Sequence, residues 1–218
     1  MVIPALAVAY LWAIRRFPAA PWRVACFAGA IVLLLAVTIT PIETIALNYL
    51  LSVHLIQNVV LAEWAPLLAV LGIPPALAAL APRVPPVPAL VLWAVNYGVW
   101  HLPWLYDAAL RHPHPLLHLE HALYFVTGVL LWWPIVQNPS STLAVVVSFA
   151  PPINSFGMLL RVASAEPPPA WQVWLSIGIG VAGAFGALWI AAKVFRVGIL
   201  MFGKAPDMKT LLAWVRAA

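Results

Sequence analysis

Seven apolar stretches follow one another along the chain, separated by short segments that contain proline, arginine or histidine. A helix that crosses the hydrocarbon core of a bilayer needs about 20 mostly apolar residues, and most of the seven stretches approach that length. The predicted spans are residues 1–14, 23–41, 45–71, 87–102, 114–136, 141–162 and 171–195. Pro66 falls inside the third span and is expected to kink it. The pattern therefore predicts an all-α fold, a polytopic bundle of about seven transmembrane helices.

Composition supports the same fold class. Hydrophobic residues make up 65% of the 218 positions and charged residues only 8%, whereas a water-soluble domain carries roughly 25% charged residues. Membrane lipid is therefore the expected surrounding of the chain. The net charge of +5 arises from few ionisable groups and gives no indication of a nucleic-acid partner. The single cysteine, Cys26, excludes a disulfide framework and a four-thiolate metal site.

The charged residues indicate how the spans are oriented. The apolar N-terminal stretch ends in Arg15 and Arg16, the reverse of a cleaved signal, so we expect an uncleaved first span with its N-terminus outside. If the C-terminus is cytoplasmic, only Arg111 and Arg161 fall outside, in agreement with the positive-inside rule. The remaining cations are then cytoplasmic, namely Arg15, Arg16, Arg23, Arg83, Lys193, Arg196, Lys204, Lys209 and Arg216.

In this orientation every histidine lies in the outer half of the protein. The six are His54, His101, His112, His114, His118 and His121. His118 and His121 are three residues apart, so both project from one helical face. His54 and Gln57 repeat that spacing on the third span, and His101 ends the fourth. His112 and His114 belong to a proline-flanked loop and are expected to be solvated.

Any one of these histidines, taken alone, is better explained as a polar anchor at the membrane interface. Ionisable side chains within spans are costly, however, and four of them at one depth indicate a functional site. Imidazole suits copper, zinc or iron, so the predicted metal ligands are His54, His101, His118 and His121. Glu63 lies deeper, where it could relay protons or act as a neutral hydrogen-bond partner. Because no phosphate loop, nucleophile elbow or thiol pair is present, we do not expect an enzyme.

The segments around these histidines resemble the cytochrome c oxidase assembly factor family of the caa-type oxidases (CtaG). The matching segments are V-H-L-I-Q-N at 53–58, A-P-L-L-A-V-L-G-I-P at 65–74, W-H-L-P-W-L-Y-D-A-A-L at 100–110, H-P-L-L-H-L-E-H at 114–121 and L-W-W-P at 131–134. The resemblance covers about residues 1–136. It implies a polytopic protein of the bacterial inner (cytoplasmic) membrane that handles copper for haem-copper oxidases, with the same four histidines as copper ligands. Family members usually read H-x-x-Q-H, and Asn58 replaces the second histidine here, which weakens the motif.

The C-terminal part shows a different resemblance. The segments that begin at Asn138 and at Trp171, and the basic stretch at 191–206, are similar to the last spans and tail of ABC-type exporter permeases of the sodium/drug-export class. This predicts two parts, a CtaG-like transmembrane bundle at 1–136 and two permease-like spans with a basic cytoplasmic tail at 137–218.

Several functions remain open at this stage. The leading prediction is a membrane protein related to oxidase assembly that handles copper at the outer face, with a haem-copper oxidase as its partner. The alternative is a non-catalytic accessory subunit of a larger respiratory or other electron-transfer complex. Haem held between two histidines and membership of an export complex are further alternatives.

Overall fold

The computed structural model describes residues 2–151 and 153–200, and within this part the regular structure is helical, without a β-strand. The chain divides into two compact units, with the boundary between Asn138 and Pro139. The basic tail predicted beyond residue 200 lies outside the described residues.

Nine α-helices and two π-helical turns form the described part of the first unit. They are α1 (Val2–Arg16), α2 (Pro21–Ile39), α3 (Pro41–Asn48), α4 (Leu51–Val59), the first π-helical turn (Val60–Trp64), α5 (Ala65–Gly72), α6 (Pro75–Ala78), α7 (Pro86–Trp100), α8 (Pro103–Arg111), the second π-helical turn (Pro113–Leu117) and α9 (His118–Gln137). Five of these helices begin on a proline. Proline has a helical φ and needs no donor at the first position, so it favours a helix start there.

Four helices among the described residues are long and apolar enough to cross a membrane. They are Pro21–Ile39, Ser52–Gly72, Pro115–Gln137 and Ala170–Lys193. The predicted spans 1–14 and 87–102 correspond to α1 and α7, which have 15 residues each. The structure thus gives a helical membrane protein with four candidate spans.

Two of the predicted spans are not continuous helices. The prediction of one helix over 141–162 is wrong, because α10 (Thr142–Val147) and α11 (Asn154–Val162) are separate. Pro151 lies in the break, and proline removes a backbone donor from a helix interior. The predicted span 45–71 is also interrupted, since Tyr49 and Leu50 separate α3 from α4.

The expected distortion near Pro66 takes the form of the first π-helical turn. Proline has no N–H to bond the carbonyl of Ala62, and the N–H of Ala65 reaches back five residues to Val60. Gly128 of α9 packs against this site. A Cβ at position 128 would overlap the Ala62 carbonyl oxygen and lie 2.6 Å from Pro66 Cγ. The glycine therefore lets α9 approach the backbone of the π-helical turn closely.

The end of α5 is held to α1 and α2 by side-chain hydrogen bonds. The Nη1 of Arg23 donates to the carbonyls of Leu71 (2.9 Å) and Ile73 (3.1 Å). The hydroxyl of Tyr10 donates to the carbonyl of Gly72 at 2.9 Å. These donors occupy carbonyls that have no partner at a helix C-terminus, so they fix the three helices together.

The second unit contains α10, α11 and α12 (Ala170–Leu200). A buried set of hydrogen bonds joins them. Ser176 Oγ donates to the Ser148 carbonyl (2.7 Å), and Asn154 Nδ2 donates to the Ser176 carbonyl (2.8 Å). The guanidinium of Arg161 donates to Ser148 Oγ (2.9 Å) and to Gln172 Oε1 (2.8 Å). The two short helices are thereby fixed to the long one.

Candidate functional site

The innermost histidine of the predicted site is His54, on α4. Its side chain is buried, and so are Gln57 and Asn58, which follow it by three and four residues on the same helix. The Nδ2 of Asn58 lies 3.3 Å from His54 Nε2. Tyr106 of α8 presents its ring edgewise to the imidazole, with centroids 5.8 Å apart. His54 is therefore enclosed by two amides and a phenol ring, and its Nδ1 has no hydrogen-bond partner.

His118 and His121 begin α9. His121 is buried, and neither of its ring nitrogens has a hydrogen-bond partner. Leaving a buried polar atom unpaired is costly, and native structures rarely do so without a bound water, ion or ligand. His118, one turn earlier, is exposed. The pair thus has one imidazole inside the bundle and one at its surface.

His101 follows the last residue of α7 and is exposed. Its Nδ1 lies 2.7 Å from the carbonyl oxygen of Tyr97, and its ring stacks on the ring of Tyr97 at 4.8 Å. A carbonyl only accepts hydrogen bonds, so Nδ1 carries the proton. The Nε2 of the neutral ring is then the nitrogen with a free lone pair.

The structure brings the four predicted ligands into one region. His54 interacts electrostatically with His101, and His121 interacts with both His54 and His118. Within the described part of the chain, however, no group of three or more His, Cys, Asp or Glu side chains is arranged to hold a metal ion. The ligand set therefore stays a prediction. His112 is exposed, and the side chain of His114 lies outside the description.

Two buried carboxyl groups act on tyrosines that contact the histidines. Glu63 belongs to the first π-helical turn and Glu120 to α9. Tyr97 of α7 interacts electrostatically with both carboxyls. Glu120 also acts on Tyr106, whose pKa is raised chiefly by burial and further by Glu120 and Asp107. Tyr106 therefore faces His54 as a neutral phenol.

Sequence reasoning missed the part played by the tyrosines. Tyr106 was not among the predicted site residues, and neither were Tyr97 and Tyr124. The usable signal was helical spacing, because Tyr97 precedes His101 by four residues and Tyr124 follows Glu120 by four. Side chains at that spacing are neighbours on a helix. The contact between Tyr106 and His54 joins two helices that are far apart in the sequence, so no helical spacing predicts it.

The donor set fits copper. Neutral imidazole is a good ligand for copper, and three ring nitrogens of the buried pair, Nδ1 of His54 and both nitrogens of His121, are buried without a partner. One nitrogen of a neutral imidazole carries a proton and the other a lone pair, so each ring offers one ligand atom whichever tautomer it has. The incomplete hydrogen bonding thus marks His54 and His121 as the inner members of a candidate ligand set.

The fold and the site together define a helical membrane protein with histidines gathered at one end of its first unit. A family model described as cytochrome c oxidase caa3 assembly factor (Caa3_CtaG) matches residues 8–201. The chain therefore belongs to that family. No curated protein and no solved structure matches it. The family match runs through the predicted junction at residue 137, and the resemblance of the C-terminal part to exporter permeases gains no support.

Proposed function

We propose that this protein assists the assembly of a haem-copper oxidase by handling copper at the outer face of the bacterial inner membrane. The proposed ligands are His54, His101, His118 and His121, and copper is cargo that passes to the oxidase. The observation that carries the proposal is the pair of buried imidazoles, of which His121 has no hydrogen-bond partner on either nitrogen and His54 has none on Nδ1. Family membership supports the link to the oxidase.

The proposed topology has about seven crossings, the sixth made by the separate helices α10 and α11 instead of one helix, with the N-terminus outside and the C-terminus in the cytoplasm. The distribution of Lys and Arg supports it, because only Arg111 and Arg161 fall outside in that arrangement. The histidine cluster then faces the outer compartment. In this compartment the oxidase would receive its metal from the exposed members of the set.

The exposed and buried histidines have different proposed roles. His101 and His118 are accessible and would make the first contact with the metal. His54 and His121 are buried, so they would hold it away from water. Binding requires neutral imidazoles, and the bond from His101 Nδ1 to the Tyr97 carbonyl already presents Nε2 as a lone-pair donor. Such a hydrogen bond is typical of metal-binding histidines. No chemical conversion is proposed, and the role is non-catalytic.

The experiment is a metal measurement on protein purified gently from its native membrane and loaded with Cu(I). We expect near-stoichiometric copper in the unaltered chain and little in His121→Gln, which removes a buried ligand. His112→Gln is the matched control, because His112 is exposed and outside the proposed set. Copper retained by His121→Gln, or lost equally from both variants, would contradict the proposal.

The alternative is a non-catalytic accessory subunit of a respiratory or other electron-transfer complex. One contact favours it, since Asn58 lies against His54 Nε2 where the family motif has a second histidine. An accessory subunit would co-purify in fixed ratio with the complex and hold no copper. The same purification therefore separates the two functions. A Soret band in the purified protein would instead indicate haem.

A further inference from the structure

Three polar side chains lie together within one turn of α4. His54, Gln57 and Asn58 are at most 1% exposed, and all three belong to the candidate span Ser52–Gly72. Each imidazole nitrogen and each amide atom in such a place needs a partner, because an unpaired polar group is costly in a dry interior. Their hydrogen bonds therefore decide which nitrogen of His54 carries the proton.

The orientation of Gln57 is fixed from outside the group. Its Nε2 donates to the carbonyl of Val37 on α2 at 2.7 Å. Because a carbonyl cannot donate, the nitrogen of the amide must be at this end, and Oε1 is at the other. The Oε1 of Gln57 is buried and has no hydrogen-bond partner. This oxygen can only accept, so it offers no proton to the His54 ring.

Asn58 contacts the Nε2 edge of the His54 imidazole ring. Its Nδ2 lies 3.3 Å from His54 Nε2. An amide nitrogen only donates, so Nε2 must accept and cannot carry the proton in this arrangement. The proton of the neutral ring is then on Nδ1. The orientation of Gln57 is compatible with this tautomer, because its free oxygen is an acceptor and Nδ1–H is the remaining donor of the ring.

From these contacts we propose that Asn58 is a positioning residue for His54. Its amide N–H donates to the Nε2 lone pair and thereby holds the ring in the Nδ1–H tautomer. The amide must turn away before a soft cation such as Cu(I) binds to Nε2. The identity of the cation rests on the proposed function, whereas the tautomer does not. In this arrangement the Asn58 amide blocks access of the cation to His54, the innermost ligand, and so acts as a gate. His101 has the same tautomer for a different reason, since the Tyr97 carbonyl accepts from its Nδ1–H.

The first test is the ¹⁵N spectrum of histidine-labelled, metal-free protein, with His54→Gln used to identify the His54 signals. We expect Nδ1 of His54 to be protonated and Nε2 to be unprotonated and hydrogen-bonded. A proton on Nε2 would overturn the inference, because the Asn58 oxygen would then face the ring. This spectrum needs no metal, so its outcome is independent of copper binding.

The second test is a titration with Cu(I) against a competing chelator. Asn58→Leu removes the donor with little change in volume and is expected to tighten binding about fivefold, the equivalent of one net hydrogen bond. Asn48→Leu is the control, since Asn48 is exposed and its amide bonds only the Thr44 carbonyl among the contacts described. Unchanged or weaker binding in Asn58→Leu would contradict the gating role.

The two tests separate the inference from the proposed function. The expected tautomer in a chain that takes up no Cu(I) would support the positioning role of Asn58 and contradict copper handling. Copper binding in a chain whose His54 carries its proton on Nε2 would support copper handling and overturn the role of Asn58.

Discussion

The two units of the chain each bury a cluster of polar side chains, and the clusters differ in how completely they are hydrogen-bonded. In the described part of the second unit, no buried side-chain nitrogen or oxygen lacks a partner. In that cluster, the guanidinium of Arg161 donates to two other side chains, those of Ser148 and Gln172. In the first unit, His54 and His121 both have unpaired ring nitrogens. Complete hydrogen bonding stabilises the fold of the second unit, whereas the incompletely bonded imidazoles of the first unit are the proposed place of a ligand.

The largest expected effect of a substitution is in the satisfied cluster. Arg161→Ala removes the donor to both Ser148 and Gln172, and hydrogen bonds from charged groups contribute about 1.5–3 kcal/mol. We expect the free energy of unfolding of the second unit to fall by about 3 kcal/mol, measured by thermal unfolding in detergent. Copper binding by the folded protein is expected to be unchanged. Arg111→Ala, at an exposed arginine, is the control. Equal stability of the two variants would contradict the claim that the cluster around Arg161 stabilises the second unit.

Gly128→Ala tests the packing that brings α9 to the first π-helical turn. The added Cβ would overlap the carbonyl oxygen of Ala62, and backbone cannot move aside as a side chain can. Overpacking of this kind costs roughly 1–3 kcal/mol, so we expect a loss of about 2 kcal/mol in the free energy of unfolding. Gly98→Ala is the control, because a Cβ at position 98 meets nothing within 4 Å. A stability equal to that of Gly98→Ala would contradict the close approach.

Tyr10→Phe removes one buried hydrogen bond, from the tyrosine hydroxyl to the Gly72 carbonyl, and leaves the stack on Phe27 (3.8 Å) in place. We expect a loss of about 1 kcal/mol, the usual net value for one hydrogen bond. Thermal unfolding of the variant beside Phe27→Leu separates the hydrogen bond from the stack. An unchanged midpoint in Tyr10→Phe would show that this hydroxyl does not stabilise the helix end.

The smallest expected effect on stability is in the unsatisfied cluster. His121→Leu replaces two unpaired nitrogens by an apolar side chain of similar size, and such a replacement is close to neutral. We expect unfolding within about 0.5 kcal/mol of the unaltered protein, with copper binding lost. A large loss of stability would show that His121 has structural partners and would remove the contrast between the units.

Much of the helical framework could be predicted from the sequence, because apolar length and proline punctuation are local. Pro21 and Pro86 mark helix starts, and the distortion near Pro66 follows from its missing N–H. The break that contains Pro151 was overlooked, since the apolar residues on both sides were taken as one span. The proposed seven spans and their orientation depend on how the chain meets lipid and on its charge distribution. The packing of the helices against one another does not show either of these.

The candidate site could be predicted in its membership but not in its contacts. The i, i+3 spacing of His118 and His121 indicated the pair, yet not that one is exposed and the other buried. The bond between Gln57 and Val37 joins α4 to α2 across 20 positions, and no local pattern predicts it. Asn58 was interpreted as a lost ligand, whereas its contact with His54 gives it a role of its own.

X-ray absorption at the copper edge of the Cu(I)-loaded protein tests the central claim most directly. The account predicts a first shell of imidazole nitrogen, which disappears when His54 and His121 are both replaced by leucine while the second unit keeps its stability. A sulfur shell from Cys26 or a methionine, or a nitrogen shell that survives the double replacement, would contradict the claim that the unsatisfied imidazoles hold the metal.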